Sequence, residues 1–161
     1  MVRYLVIFFI FLLFSFKIQG QQIIKPDKLD FEKLKFNSVT KNLIYDNSSE
    51  NADIIIMYQI INYWFDNKVK IDGFDGSLDV IIKNIDTKKI KKENYFKFSI
   101  DMSIEFNLKS LKLGKTQTHN VKSSEFGEIK GSFSINEQEE LIIETMYRSI
   151  SSVSKKILKI I

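Results

Sequence analysis

YFKFSIDMSIEFNL, Tyr95 to Leu108, alternates between apolar and polar residues almost without error. Phe96, Phe98, Ile100, Met102, Ile104, Phe106 and Leu108 fall on one side of a two-residue period, with Lys97, Ser99, Asp101, Ser103, Glu105 and Asn107 on the other. Successive side chains of a strand point to opposite faces, so the pattern predicts one long strand with a dry face and a wet face. Something apolar must cover the dry face. The wet face either meets solvent or does chemistry, and the flanking sequence bears on which.

Immediately upstream, LDVIIKNID reads as a second strand with Leu78, Val80 and Ile82 facing one way, and the Lys-rich TKKIKKEN reads as the turn between the two. Further back, DGFDGS breaks the chain with two Gly residues. Before it, ADIIIMYQIINYWFDNK carries Ile54, Met57, Tyr58, Ile61, Trp64 and Phe65 at helical spacing, with Ser49 or Asn51 available as an N-cap. LDFEKLKFNSV, from Leu29, reads as a short first strand, and NLIYDNSSEN as turn and cap residues.

Downstream, LKLGKTQT marks a hairpin at Gly114 leading into a strand over Thr116 to Phe126. From Asn136 a long helix runs to the chain end, its apolar seam formed by Ile143, Met146, Ile150, Val153, Ile157 and Ile160. Glu137, Glu139 and Glu140 begin it, and Lys155, Lys156 and Lys159 end it, matching the helix dipole at both ends. The predicted order is therefore β-α-β-β-β-α. The fold class is α+β: a two-layer sandwich with a mostly antiparallel four-stranded sheet and both helices on one face.

The first twenty residues are of another kind. Arg3 precedes thirteen apolar or small residues, Tyr4 to Phe16, and a polar exit ends at Gly20. That is the layout of a secretory signal peptide cleaved after Gly20; a membrane-spanning helix needs about 20 apolar residues and this run is shorter. Residues 21–161 then form a single α+β domain, secreted or periplasmic. The whole chain's hydrophobic fraction of 44%, with 9 of its 14 Phe residues after Gly20, excludes a disordered chain. Removing Arg3 and Lys17 leaves 22 basic residues against 20 acidic ones, a net charge of +2, so nucleic acid is not an expected partner. With 26 Ile and 22 Lys against one Ala and one Pro, much of the lysine reflects a skewed composition rather than a polyanion site.

Chemistry is scarce. The chain has no Cys, so it offers no disulfide, thiol nucleophile or thiolate metal site. His119 is the only histidine, which excludes a histidine triad or a multi-histidine metal site. Asp72, Asp75 and Asp79 surround two Gly residues but lack the spacing and closing Glu of a calcium loop. Asp101 and Glu105, four strand positions apart, would stand ~13 Å from one another, beyond the ~5–9.5 Å of paired glycosidase carboxylates. Asn47-Ser48-Ser49 is a glycosylation sequon, relevant only in a host that glycosylates. No catalytic, cofactor or metal residues are expected, and no enzyme. Lys88, Lys89, Lys91 and Lys92 read either as a solvated turn or as a contact for an anionic partner, including peripheral contact with a membrane.

The stretches LDFEKLKFNSV, GSLDVIIKNID, FKFSIDMSIEFNL and SFSINEQEELIIETMYRSISSVSKKIL, behind an export segment, resemble small periplasmic assembly lipoproteins of the LptE type. They are also similar to uncharacterised lipoproteins of alphaproteobacteria. The resemblance brings no catalytic motif. It implies a non-enzymatic binding or assembly module of the cell envelope, with a protein or lipopolysaccharide partner. Members of that group are usually tethered through an N-terminal Cys, which this chain lacks. The alternative is a carrier holding a small apolar ligand or lipid between helices and sheet, among Trp64, Phe98, Met102 and Met146.

Overall fold

The computed structural model describes residues 31–46 and 51–161. The export-type segment, the Asn47 sequon and Ser49 lie outside the described residues. Strands β1 (Leu34–Phe36), β2 (Thr40–Tyr45), β3 (Val69–Ile71), β4 (Ser77–Lys92), β5 (Tyr95–Ser110) and β6 (Lys115–Lys130) accompany helices α1 (Ala52–Lys68) and α2 (Ile135–Ile157). Four strands form one sheet in the order β2-β4-β5-β6, parallel between β2 and β4 and antiparallel elsewhere. β1 and β3 form a small parallel pair of their own. The α+β sandwich is the architecture expected.

The element order has two strands beyond the four expected, β2 and β3. The sheet's first strand is Thr40–Tyr45, drawn from a segment that reads as turn residues, whereas Leu34–Phe36 pairs with β3 outside the sheet. Six residues centred on Leu43 are too few to show a period, and Asn and Asp beside them carry the turn signal. TKKIKK is also no turn. β4 runs through it to Lys92, and only Glu93 and Asn94 connect it to β5. Strand pairing with the long Tyr95–Ser110 segment overrides the low strand propensity of the lysines.

The dry face behaves as its period demands. Phe98, Ile100, Ile104 and Phe106 are fully buried, beside Leu78 and Val80 of β4. Both helices cover this face. Trp64 of α1 meets Phe106 edge-on, with centroids 6.4 Å apart, and donates from Nε1 to Ser154 Oγ of α2 at 2.9 Å. α1 buries Ile54, Met57, Ile60, Ile61, Trp64 and Phe65; Tyr58 is only half-buried, edge-on to Tyr45. The buried seam of α2 starts at Ile142 rather than Ile143 and ends at Ile157, because the helix stops there and Ile160 is exposed.

Helix α2 contains several Ser and Thr residues, which are weak helix formers. Burial holds it, at roughly 1.5–3 kcal/mol for each large side chain taken fully out of water. Its small residues let it approach β6 closely: Ser149 Oγ donates to Ser123 Oγ at 3.1 Å. A Cβ at Gly127 would come within 2.7 Å of Leu141 Cδ1 and Thr145 Oγ1. At its start, Ser134 and Glu137 form a reciprocal capping box. Across the fold, Asn51 caps α1, and Lys41 Nζ donates to its terminal carbonyls at Phe65 (2.6 Å) and Val69 (2.7 Å). Burial holds the Lys41 pKa below the usual lysine value.

Candidate functional site

The wet face of the sheet is occupied by pairs. Lys83 Nζ lies 2.8 Å from Asp46 Oδ2 and 3.9 Å from Glu105 Oε1. Lys109 Nζ donates to Asp79 Oδ2 at 2.6 Å while Asn42 Nδ2 donates to Asp79 Oδ1 at 2.8 Å. Those two bonds, Lys109 first, hold the Asp79 carboxyl below its ordinary pKa. Glu105 also accepts from Asn107, and Thr118 Oγ1 donates to Asn107. Glu128 accepts from Tyr95 and pairs with Lys130, chiefly for which its pKa is lowered. With their pKa values lowered by these bonds, Asp79 and Glu128 stay ionised and paired, which is the opposite of a poised acid or base. Among the described residues, no group of three His, Cys, Asp and Glu side chains is arranged to hold a metal ion.

The four lysines do not share a turn. Lys89 and Lys91 pair across the ladder with Phe98 and Phe96 and so lie on the helix side, while Lys88 and Lys92 pair with Ser99 and Tyr95 on the wet side. Lys89 Nζ is 2.8 Å from Asp53 Oδ1 in the first turn of α1. Trp64, Phe98, Met102 and Met146 are all buried in the core cluster. His119 is half-buried on the helix side, opposite Phe106. Asp101 is exposed, with Asp86 as its neighbour across the ladder.

A different place stands out. At one end of the sheet, the β5–β6 turn (residues 111–114) meets the β3–β4 loop (residues 72–76), and three large apolar side chains point into solvent. Phe74 is 93%, Leu111 82% and Leu113 72% exposed. The backbone beneath them is braced. Asp75 accepts from Ser110 Oγ at 2.5 Å and from the backbone amides of Leu111 (3.1 Å) and Lys112 (3.2 Å). Ser110 Oγ in turn accepts from the Leu113 amide at 3.1 Å. The Ser110 bond is the main cause of the lowered Asp75 pKa.

Gly76 makes this meeting of loops feasible. Its φ is +73°, and a Cβ there would fall 1.6 Å from the Lys109 carbonyl oxygen. An open cleft of about 650 Å³ lies between the loops, with Asn37, Phe74, Leu108, Leu113 and Lys115 among its lining residues. The sequence does carry a signal for the site, since LKSLKLGK, Leu108 to Lys115, alternates leucine with lysine and contains no acid. Read as a hairpin, it gave no hint that Phe74 would stand across from it.

No protein-family model matches the chain, and no curated protein matches it. Among solved structures it is similar to the minor lipoprotein from Acinetobacter baumannii, at 10% identity and a TM-score of 0.39, covering 74% of this chain and 87% of that one. It is also similar to rare lipoprotein B from Shewanella oneidensis, at 10% identity and a TM-score of 0.44, covering 75% of this chain and 95% of that one.

Proposed function

We propose that this chain is a non-enzymatic module of the bacterial cell envelope, secreted or periplasmic, that works by binding. Its resemblance to small assembly lipoproteins suggests an envelope protein or lipopolysaccharide as a partner. The observation that carries the reading is the tip: Phe74, Leu111 and Leu113 are held out in water by a hydrogen-bonded turn. Large apolar side chains grouped in water at one end of a sheet mark a surface for something else to cover. The neutralised pairs of the wet face support binding over catalysis for the same molecule.

The test is crosslinking in the native host with a photoreactive residue at position 113, followed by pull-down and N-terminal sequencing of the mature chain. The expected result is one recurrent envelope component, attached to a chain that begins after Gly20. Repeated absence of any envelope component would remove the reading.

A further inference from the structure

Resting on the reading that the tip binds, we propose that the occupant of this surface is an anionic phospholipid bilayer: Phe74, Leu111 and Leu113 enter the headgroup layer while the lysines beside them meet lipid phosphates. Three features point there. The apolar side chains come from two separate loops at the same end of the sheet, and all three are at least 72% exposed. The hairpin segment Leu108–Lys115 interleaves Leu108, Leu111 and Leu113 with Lys109, Lys112 and Lys115. This combination of leucine or aromatic side chains with lysine is the composition of segments that lie in a membrane interface.

The tip's charges cancel in number, Lys109, Lys112 and Lys115 against Asp72, Asp75 and Asp79, so their placement rather than their sum bears on the partner. Two carboxylates occupy the facing loop, Asp72 and Asp75. Asp75 is turned inward onto the Ser110 hydroxyl and the Leu111 and Lys112 amides, and Asp72 is exposed at the base beside β3. Lys109 leans on Asp79 and Lys112 lies near enough to Asp75 to help hold its carboxylate ionised, which leaves Lys115 in full and Lys112 in part to meet an anionic surface. A lipid layer accepts apolar side chains at any spacing. The braced turn also presents them without a folding cost on contact, since its amides are already bonded.

The experiment uses the exported chain as recovered from its host, carrying Phe74→Trp as a local reporter. Trp64 is fully buried and stays unresponsive to added vesicles. Vesicles of phosphatidylethanolamine with phosphatidylglycerol are titrated in, against pure phosphatidylcholine. The expected result is a blue shift of the position-74 emission, at least tenfold tighter on the anionic vesicles. Lys112→Ala and Lys115→Ala should each weaken binding about fivefold. Leu111→Ser with Leu113→Ser should abolish the shift while the circular dichroism spectrum is unchanged, and Lys88→Ala with Lys92→Ala, at the other end of β4, should leave it intact.

No shift on anionic vesicles, or a shift indifferent to the two leucine substitutions, overturns the proposal. A shift produced by lipopolysaccharide and not by phospholipid also overturns it, as does a position-113 crosslink to a protein alone; in both cases the binding reading above survives. Absence of any position-113 crosslink, to protein, lipopolysaccharide or phospholipid, removes the binding reading and this proposal with it; failure of the vesicles alone removes only the proposal.

Discussion

Single residues here act through hydrogen bonds as much as through volume. Ser154 is the clearest case: its hydroxyl accepts from the buried Trp64 indole and donates to the Ile150 carbonyl at 3.0 Å. Ser154→Ala strands the indole N–H in the core, and an unsatisfied buried donor costs about 1–3 kcal/mol. Urea denaturation should show that loss with an unchanged m-value; a change under 0.5 kcal/mol would mean the indole finds another acceptor. The bond joins α1 to α2 across 90 residues of sequence. Nothing local to Trp64 announces it, because the serine lies on the inner side of a distant helix, beside two other buried hydroxyls, Thr145 and Ser149.

At the scale of elements, the sheet's two edges are treated differently. β6 is closed by α2: Arg148 Nη2 donates to the Phe126 carbonyl at 2.7 Å and Lys156 Nζ to the Lys122 carbonyl at 2.6 Å. Cationic side chains reaching over from a helix occupy backbone acceptors that another strand would otherwise use. Replacing both, Arg148→Glu with Lys156→Glu, should therefore promote edge-to-edge association, read as concentration-dependent species by size-exclusion chromatography with light scattering. A strictly monomeric double variant would show that the helix itself, rather than its cations, shields the edge. Past Ile82, beyond the reach of β2, β4 continues through a bulge at Ile82/Asn84 and a lysine-rich stretch. Lysine and bulges are the usual devices that keep such an edge solvated.

For the whole molecule, the charged pairs set a pH window. Asp75, Asp79, Glu128 and Glu137 all have lowered pKa values, so folding favours their ionised forms. That stability is present above the ordinary carboxylate values of 3.8 and 4.5 and is lost as pH falls through the lowered ones. In the alkaline direction, Tyr45 is pushed up to about 12, mainly by burial, and Lys83 and Lys130 are raised by hydrogen bonds to Asp46 and Glu128. Their contribution is complete below about pH 10 and declines as pH climbs through the raised values. The urea midpoint should be flat between about pH 5 and pH 9 and fall on both sides, with Asp79→Asn reducing the acid slope. An unchanged acid slope in that variant would show that Asp79 is not among the groups responsible.

The sequence by itself determined the two layers. A two-residue period over Tyr95–Leu108 and a helical period over Ile54–Phe65 and Met146–Ile157 each leave one apolar face, and such faces bury one another in few ways. Only tertiary structure decided the rest. Thr40–Tyr45 became a sheet strand, and the lysines of TKKIKK became part of β4, because a long partner was there to pair with them. Phe74 and the Leu111–Leu113 turn became one surface through the close approach permitted at Gly76, a contact between segments more than thirty residues apart. Periodicity records which side of an element must leave water; it holds no information about which distant loops will meet once that burial is complete.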